Sequence, residues 1–146
     1  MPDARSMPDS NDNLLIDIRN LTFGYAERTI LSDVTMRFPR GKVVAIMGGS
    51  GCGKTTLLRL IAGFERPDRG VVRIGGQEVA GPQRWLPPER RGVGMVFQDY
   101  ALFPHLDAWR NACFGLRRGQ DSSRAAWLLE LLGLKGLEQQ IGRAHV

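Results

Sequence analysis

The sequence predicts an α/β domain, and three kinds of pattern support this prediction. Two runs, Lys42–Met47 and Val93–Phe97, are short and almost continuously apolar, as strands buried on both faces are. Leu14–Phe23 and Val34–Phe38 alternate apolar with polar residues, which is typical of strands with one buried face. Apolar residues at helical spacing over Lys54–Ala62 predict an amphipathic helix between the two apolar runs.

Two more strands and two more helices complete the predicted order. The strands Val71–Ile74 and Gln77–Val79 are separated by two glycines that favour a turn. One later helix is expected to begin at the capping residue Asp107, and the last at Ser122 or Ser123. The last helix has a predicted apolar stripe and a glycine as its stop, formed by Ala126, Leu129, Leu132 and Gly133.

Length, charge and hydropathy exclude several classes of protein. The chain has 146 residues, which is one domain or a piece of one. Its net charge of +5 comes from scattered arginines, a pattern more typical of a solvated surface than of a nucleic-acid-binding face. The longest apolar run, Val43–Met47, is far shorter than the ~20 residues that cross a bilayer. We therefore expect neither a nucleic-acid partner nor a membrane-spanning segment within this sequence.

The strongest motif is Gly48-x-x-x-x-Gly53-Lys54-Thr55, which matches the phosphate-binding loop pattern in full. Glycines let successive backbone N–H groups point inward at an anion, and the following helix adds its positive end. Lys54 supplies a full positive charge, and the Thr55 hydroxyl can ligate Mg²⁺. The alternative is a glycine-rich turn that happens to precede Lys-Thr. The pattern indicates nucleotide binding, but it does not name a reaction.

Two other residues are candidates for the same site. Tyr25 follows the first predicted strand and could stack on adenine, although an ordinary tyrosine at a strand end is the alternative. Gln98 follows the run Val93–Phe97, where a ligand of a parallel sheet is expected, and could reach Mg²⁺ or an attacking water. A capping or turn glutamine is the alternative there.

These motifs together resemble those of the ATP-binding subunits of ABC transporters. The resemblance rests on three blocks in order, Leu21–Tyr25, Met47–Gly63 and Arg91–Leu106. It implies a P-loop NTPase (RecA-like) core with an antiparallel β subdomain. It also implies that Tyr25 stacks on adenine, that Lys54 and Gln98 serve catalysis, and that Thr55 and Gln98 bind Mg²⁺. The implied ATP-binding loop is Gly48, Gly49, Ser50, Gly51, Cys52, Gly53, Lys54, Thr55 and Thr56.

The resemblance also implies a domain organisation. We expect a disordered tail at 1–12, a partial ATPase core at 13–104, and the start of a helical subdomain at 105–140. Residues 141–146 resemble a translated sequencing adapter, so they are expected to be a non-native tail, with a native C-terminus as the alternative. The family's signature motif, Walker B aspartate, catalytic glutamate and switch histidine do not occur in the 146 residues. We therefore expect ATP binding without hydrolysis by this chain alone.

The function implied by the resemblance is the energy-coupling subunit of an importer, nearest to the ferric-iron and polyamine type. Its expected partners are transmembrane permeases, a second ATP-binding subunit arranged head to tail, and a solute-binding protein. Its expected place is the cytoplasmic face of the inner or plasma membrane. Three alternatives stay open: a soluble ABC ATPase acting on DNA or ribosomes, a small nucleotide kinase, and an inert truncated remnant.

Overall fold

The computed structural model describes residues 13–141, which divide after Met95 into two compact units. Within these described residues, the first unit contains an antiparallel sheet, one α-helix and a short 3-10 helix (Pro88–Arg90), and the second contains two short α-helices. The predicted tail at 1–12 lies outside the described residues, and so do residues 142–146 of the predicted non-native segment. Within 13–141, no helix is both long enough and apolar enough to span a bilayer.

Four antiparallel strands form the sheet of the first unit. They are β1 (Leu14–Tyr25), β2 (Arg28–Pro39), β3 (Arg69–Ile74) and β4 (Gln77–Ala80), in the order β2-β1-β3-β4. The predicted Gly75-Gly76 turn is confirmed: both glycines have positive φ, as a two-residue hairpin turn requires. The first two strands extend beyond their predicted ends because the pairing of β1 with β2, despite several register shifts, reaches Tyr25 and Arg28 at their connecting turn.

Helix α1 (Lys54–Ala62) buries its apolar side in the same core as the sheet. Leu57, Leu60 and Ile61 join a cluster contributed mainly by the strands. The predicted stop at Gly63 is confirmed, because its φ of 92° turns the chain and its N–H donates to the Arg59 carbonyl. The other buried members of the cluster are Ile18, Leu21, Phe23, Leu31, Val72, Val79 and Ala80.

The two runs predicted as buried strands, Lys42–Met47 and Val93–Phe97, are not strands. Val43, Met47 and Val96 are almost fully exposed. A strand of a parallel sheet is held by hydrogen bonds to neighbouring strands. Within residues 13–141 the sheet pairs only β1 to β4 with one another, so neither run has a partner strand there. The predicted parallel core is therefore not formed by the described residues.

The second unit contains α2 (Ala108–Ala112) and α3 (Ser123–Leu131). The predicted cap is confirmed for α2, since the Asp107 side chain accepts a 2.7 Å hydrogen bond from the Arg110 N–H. Asn111 holds the preceding loop, because its amide accepts from the Phe103 N–H and donates to the Phe103 and Leu106 carbonyls.

The predicted apolar stripe of α3 is wrong at two of its three positions. Ala125 and Leu129, four residues apart, are buried, whereas Ala126 and Leu132 are exposed. Residues four apart share one helix face, whereas Ala126 lies about 100° around the helix from Ala125. Leu132 lies beyond the last helical residue and therefore does not continue the buried face. Ser122, which immediately precedes α3, makes no side-chain hydrogen bond that caps the helix.

Candidate functional site

The glycine-rich segment 48–53 leads directly into the N-terminus of α1. Gly53, immediately before the helix, has a φ of 99°, a conformation that side chains rarely adopt. It offers no side chain to cap the helix, and the first turn of α1 contains no acidic residue. The first N–H groups of a helix have no partner within the helix, so this end is positively polarised. The segment therefore presents an electropositive backbone end that suits an anion.

Lys54 adds its charge to the same place. Its Nζ donates to the carbonyl oxygens of Gly48 and Gly49, both at 2.7 Å, and lies 3.6 Å from Cys52 Sγ. These contacts hold the ammonium group within the arc of the loop, which suits contact with a phosphate there. An ammonium donor forms short, strong hydrogen bonds with phosphate oxygens. The geometry fits the phosphate-binding motif that the sequence predicts.

Two glycines of the loop have neighbouring side chains close to the position that a Cβ would take. A Cβ at Gly53 would lie 2.9 Å from Leu31 Cδ2 and 3.2 Å from Ile30 Cγ2, in the core beside β2. A Cβ at Gly48 would lie 2.6 Å from Cys52 Sγ. By contrast, a Cβ at Gly49 would meet nothing within 4 Å. The loop is thus tightly packed at its two ends and open in between.

The remaining loop residues supply hydroxyl groups. Ser50 and Thr55 are exposed, and Thr56 is partly buried. Thr55 stands in the first turn of α1, beside Lys54. No group of three His, Cys, Asp or Glu side chains suited to a metal ion occurs in the described part of the chain. The exposed Thr55 hydroxyl offers a hard oxygen, the kind of donor that Mg²⁺ prefers.

Tyr25 stands at the last position of β1 with its side chain about half exposed. Its hydroxyl donates to Glu65 Oε1 at 2.9 Å, and its ring meets Phe23 edge to face, with 4.9 Å between centroids. The hydrogen bond to Glu65 raises the pKa of Tyr25, because it favours the protonated hydroxyl. The hydroxyl is therefore engaged, while the ring keeps exposed surface.

Sequence reasoning missed the groups that hold Tyr25. Glu65 Oε1 also accepts from Arg59 Nε and Nη2, at 3.2 and 3.1 Å. Nearby, Asp68 Oδ2 accepts from the Gly24 N–H at 3.0 Å, and the Asp68 N–H donates to the Thr22 carbonyl. The segment after α1 thus holds the end of β1 at several points. The sequence signal for these contacts is limited to the two acidic residues, Glu65 and Asp68, that follow α1. Their partners in β1 are about forty residues away along the chain.

A second residue that sequence reasoning missed is Arg91, which the sequence marks only as the start of the third motif block. It is buried, and its guanidinium donates to the carbonyls of Leu60 and Ile61 at the C-terminal end of α1. Its Nε donates to the Leu86 carbonyl. The negative C-terminal end of a helix stabilises a cation such as this guanidinium. Burial acts in the opposite direction and lowers the pKa of Arg91. A Cβ at Gly63 would lie 2.6 Å from Arg91 Nε, so Gly63 leaves the space that the guanidinium fills.

Gln98 is exposed and belongs to the second unit. The prediction that it ends a strand is wrong, because 93–97 is not a strand. Gln98 instead lies within a turn, in which the Tyr100 N–H donates to the Phe97 carbonyl and the Ala101 N–H to Asp99 Oδ1. The alternative of a turn glutamine therefore describes its local structure. Its contact with Mg²⁺ or water stays a prediction.

The chain is similar to proteins of one known family over most of its length. The ABC transporter family matches residues 31–145. An Fe(3+) ions import ATP-binding protein of Rhodococcus jostii is 50% identical over 122 residues, covering 83% of this chain and 34% of the relative. A spermidine/putrescine import ATP-binding protein of Rubrobacter xylanophilus is 42% identical over 130 residues, covering 86% and 33%. An Fe(3+) ions import ATP-binding protein of Mesorhizobium japonicum is 45% identical over 126 residues, covering 86% and 35%.

The chain spans about a third of the length of these relatives. The matched residues contain the glycine-rich loop, Lys54, α1 and Gln98. The family match covers most of the chain, and the relatives are 42–50% identical over more than four fifths of it. The chain therefore belongs to the ABC transporter family.

Proposed function

We propose that this chain binds Mg-ATP through residues 48–56 and is part of the ATP-binding subunit of an ABC importer. The observation that carries the proposal is the Lys54 ammonium, held within a glycine-rich arc at the positive end of α1. Lys54 and the loop N–H groups would hold the phosphates by charge-assisted hydrogen bonds. Such an arrangement concentrates positive charge where the triphosphate carries its negative charge.

The other predicted site residues receive roles around this loop. The exposed surface of the Tyr25 ring would stack on adenine. The Thr55 hydroxyl and the Gln98 amide oxygen would bind Mg²⁺, which prefers oxygen ligands. The rest of the cradle is formed by Gly48, Gly49, Ser50, Gly51, Cys52, Gly53 and Thr56.

Import is the activity that the relatives' names support. The relatives described above are named import ATP-binding proteins, with Fe(3+) ions in two names and spermidine/putrescine in one. Their cargo differs, so the proposal names import and does not extend to one cargo. In the whole protein, we propose a peripheral subunit on the cytoplasmic face of the membrane. It would work with transmembrane permeases, a second ATP-binding subunit arranged head to tail, and a solute-binding protein.

Hydrolysis is proposed for the whole transporter and not for this chain alone. The family's signature motif, Walker B aspartate, catalytic glutamate and switch histidine are absent from the 146 residues. Lys54 and Gln98 would contribute to catalysis only when those groups are present. We propose likewise that the runs 42–47 and 93–97 become strands of a parallel RecA-like core in the whole protein, where further chain can pair with them.

The direct test is a fluorescence titration with an N-methylanthraniloyl derivative of ATP and Mg²⁺. Lys54→Ala should weaken binding at least about tenfold, because a charged hydrogen bond is worth roughly 1.5–3 kcal/mol. Lys42→Ala is the matched control, since Lys42 is an exposed lysine outside the loop and its removal should leave the affinity unchanged. Equal affinities of the Lys54→Ala chain and the unaltered chain would contradict the proposal. Thermal unfolding of both variants checks that the fold is kept.

A further inference from the structure

We propose that Glu65 is a positioning residue for Tyr25, and through Tyr25 for the nucleobase, while it leaves the phosphate contacts untouched. This inference rests on the proposed function, in which Tyr25 stacks on the base. The segment that follows α1 would therefore help to recognise the nucleobase, in addition to the triphosphate that the loop binds.

One carboxylate oxygen is the centre of the network. Glu65 Oε1 accepts from the Tyr25 hydroxyl at 2.9 Å and from Arg59 Nε and Nη2 at 3.2 and 3.1 Å. Arg59 lies in the last turn of α1, and its ion pair with Glu65 is only partly exposed. The acceptor that Tyr25 uses is therefore fixed relative to the helix and does not depend on a freely moving surface side chain.

The Tyr25 ring is held at both of its ends. A tyrosine side chain rotates about two torsions, χ1 and χ2, and the hydrogen bond from the Tyr25 hydroxyl to Glu65 restricts both of them. The edge contact with Phe23 restricts the ring further. On the backbone side, the preceding Gly24 N–H is bound by Asp68, and a Cβ at Gly24 would lie 2.5 Å from the Arg28 carbonyl oxygen. A ring restrained in this way stacks at a smaller cost in conformational entropy.

Helix α1 connects this network with the phosphate loop. Its first residue is Lys54, and its last turn contains Arg59, so the phosphate contacts and the Glu65 network are attached to one rigid element. Nine helical residues span about 13 Å. The charge of Glu65 is offset by Arg59, so this carboxylate adds little net negative charge near a bound nucleotide. Glu65 is thus placed to orient Tyr25 without opposing the triphosphate.

The test compares ATP with inorganic tripolyphosphate, which has the phosphates and no base. Isothermal titration calorimetry with Mg²⁺ gives both dissociation constants, and their ratio measures the contribution of the nucleoside. Glu65→Ala should lower the preference for ATP by about three- to tenfold, the range expected for one partly exposed charged hydrogen bond. Its affinity for tripolyphosphate should stay unchanged. Glu65→Gln keeps an acceptor oxygen and should retain most of the preference.

A double-mutant cycle separates positioning from a general loss of structure. Tyr25→Phe keeps the ring, removes the hydroxyl, and should reduce the preference as much as Glu65→Ala does. The two changes together should cost no more than either one, because both remove the same hydrogen bond. Glu130→Ala is the control, since Glu130 forms an exposed ion pair with Lys135 in the second unit and should leave the ratio unchanged. If the Glu65→Ala chain does not fold, Tyr25→Phe alone gives the result.

The outcomes are distinguishable. Equal weakening of ATP and tripolyphosphate in Glu65→Ala, or additive losses in the cycle, would overturn the positioning role alone. A chain that binds tripolyphosphate and ATP equally before any substitution would overturn both the stacking by Tyr25 and this inference, and would leave the phosphate loop standing. A chain that binds neither would overturn the proposed function, and this inference with it.

Discussion

Backbone conformation and limited space both favour glycine at position 53. Neither constraint applies to Gly49, four residues earlier. Gly53 has a φ of 99°, and an added Cβ would enter the contacts of Leu31 and Ile30. Gly53→Ala should therefore lower the free energy of unfolding by about 1–3 kcal/mol. Gly49→Ala should change it by less than about 0.5 kcal/mol, because its Cβ would meet nothing. Urea denaturation measures both values, and equal losses would contradict the loop geometry.

The hydroxyl of Tyr25 should titrate later than an ordinary tyrosine. Its bond to Glu65 raises its pKa above the usual 10.0. Since the folded-state pKa is raised, the stabilisation is fully present below about pH 10 and is lost as the pH rises through the raised pKa. Absorbance titration of tyrosinate in a Tyr100→Phe background reports Tyr25 alone, because the chain has two tyrosines. Glu65→Ala in that background should return the pKa towards 10.0, and an unchanged titration would contradict the hydrogen bond.

At this scale, the sequence predicts residues whose partners are close along the chain. The spacing from Gly48 to Thr55 is sufficient to predict the loop, because its contacts are local. Glu65 and Arg91 could not be predicted in this way. Glu65 meets Tyr25 across forty residues, and Arg91 meets Leu60 across thirty-one. No local pattern in a single sequence reports such contacts.

The C-terminal end of helix α1 is capped by Arg91, which lies in a loop about thirty residues further along the chain. Arg91→Met keeps the apolar stem and removes the guanidinium that binds the Leu60, Ile61 and Leu86 carbonyls. The unfolding free energy should fall by about 1–3 kcal/mol, because these carbonyls lose a charged donor. Arg90→Met is the matched control at an exposed neighbour and should cost much less. Chemical denaturation checks both, and similar losses would mean that Arg91 is not the cap.

The antiparallel strands and α1 could be predicted because each shows its periodicity within its own residues. The runs 42–47 and 93–97 show the composition of buried strands, yet a strand also needs partner strands beside it. The sheet of the described residues ends at β2 and β4 and pairs with neither run. Composition therefore predicts that a segment can form a strand, whereas a neighbouring strand is needed for it to do so.

At the scale of the molecule, residues 13–141 leave large apolar side chains exposed to solvent. Val43 is fully exposed, whereas Val72 is fully buried in the same unit. Val43→Asp should change the unfolding free energy by less than about 0.5 kcal/mol. Val72→Asp should cost at least about 3 kcal/mol, since it buries an unpaired charge. Thermal and urea unfolding compare the two, and a large loss in Val43→Asp would show that the run 42–47 is packed in solution.

The family could be identified from the sequence because three motif blocks occur in a fixed order. The match over residues 31–145 confirms it. The architecture of the whole molecule could not be predicted from the same residues. The chain spans about a third of the relatives' length, and a parallel core depends on strands that are far apart in sequence.

An NMR titration shows directly whether the arc around Lys54 is a nucleotide site. Mg-ATP is added to the isotope-labelled chain, and each backbone amide is followed. The largest chemical-shift changes should fall on residues 48–56, with smaller changes at Tyr25 and Glu65. They should be strongly reduced by Lys54→Ala and unaffected by Lys42→Ala. If millimolar Mg-ATP caused no chemical-shift changes, or changes concentrated away from residues 48–56, the loop would not be the nucleotide site.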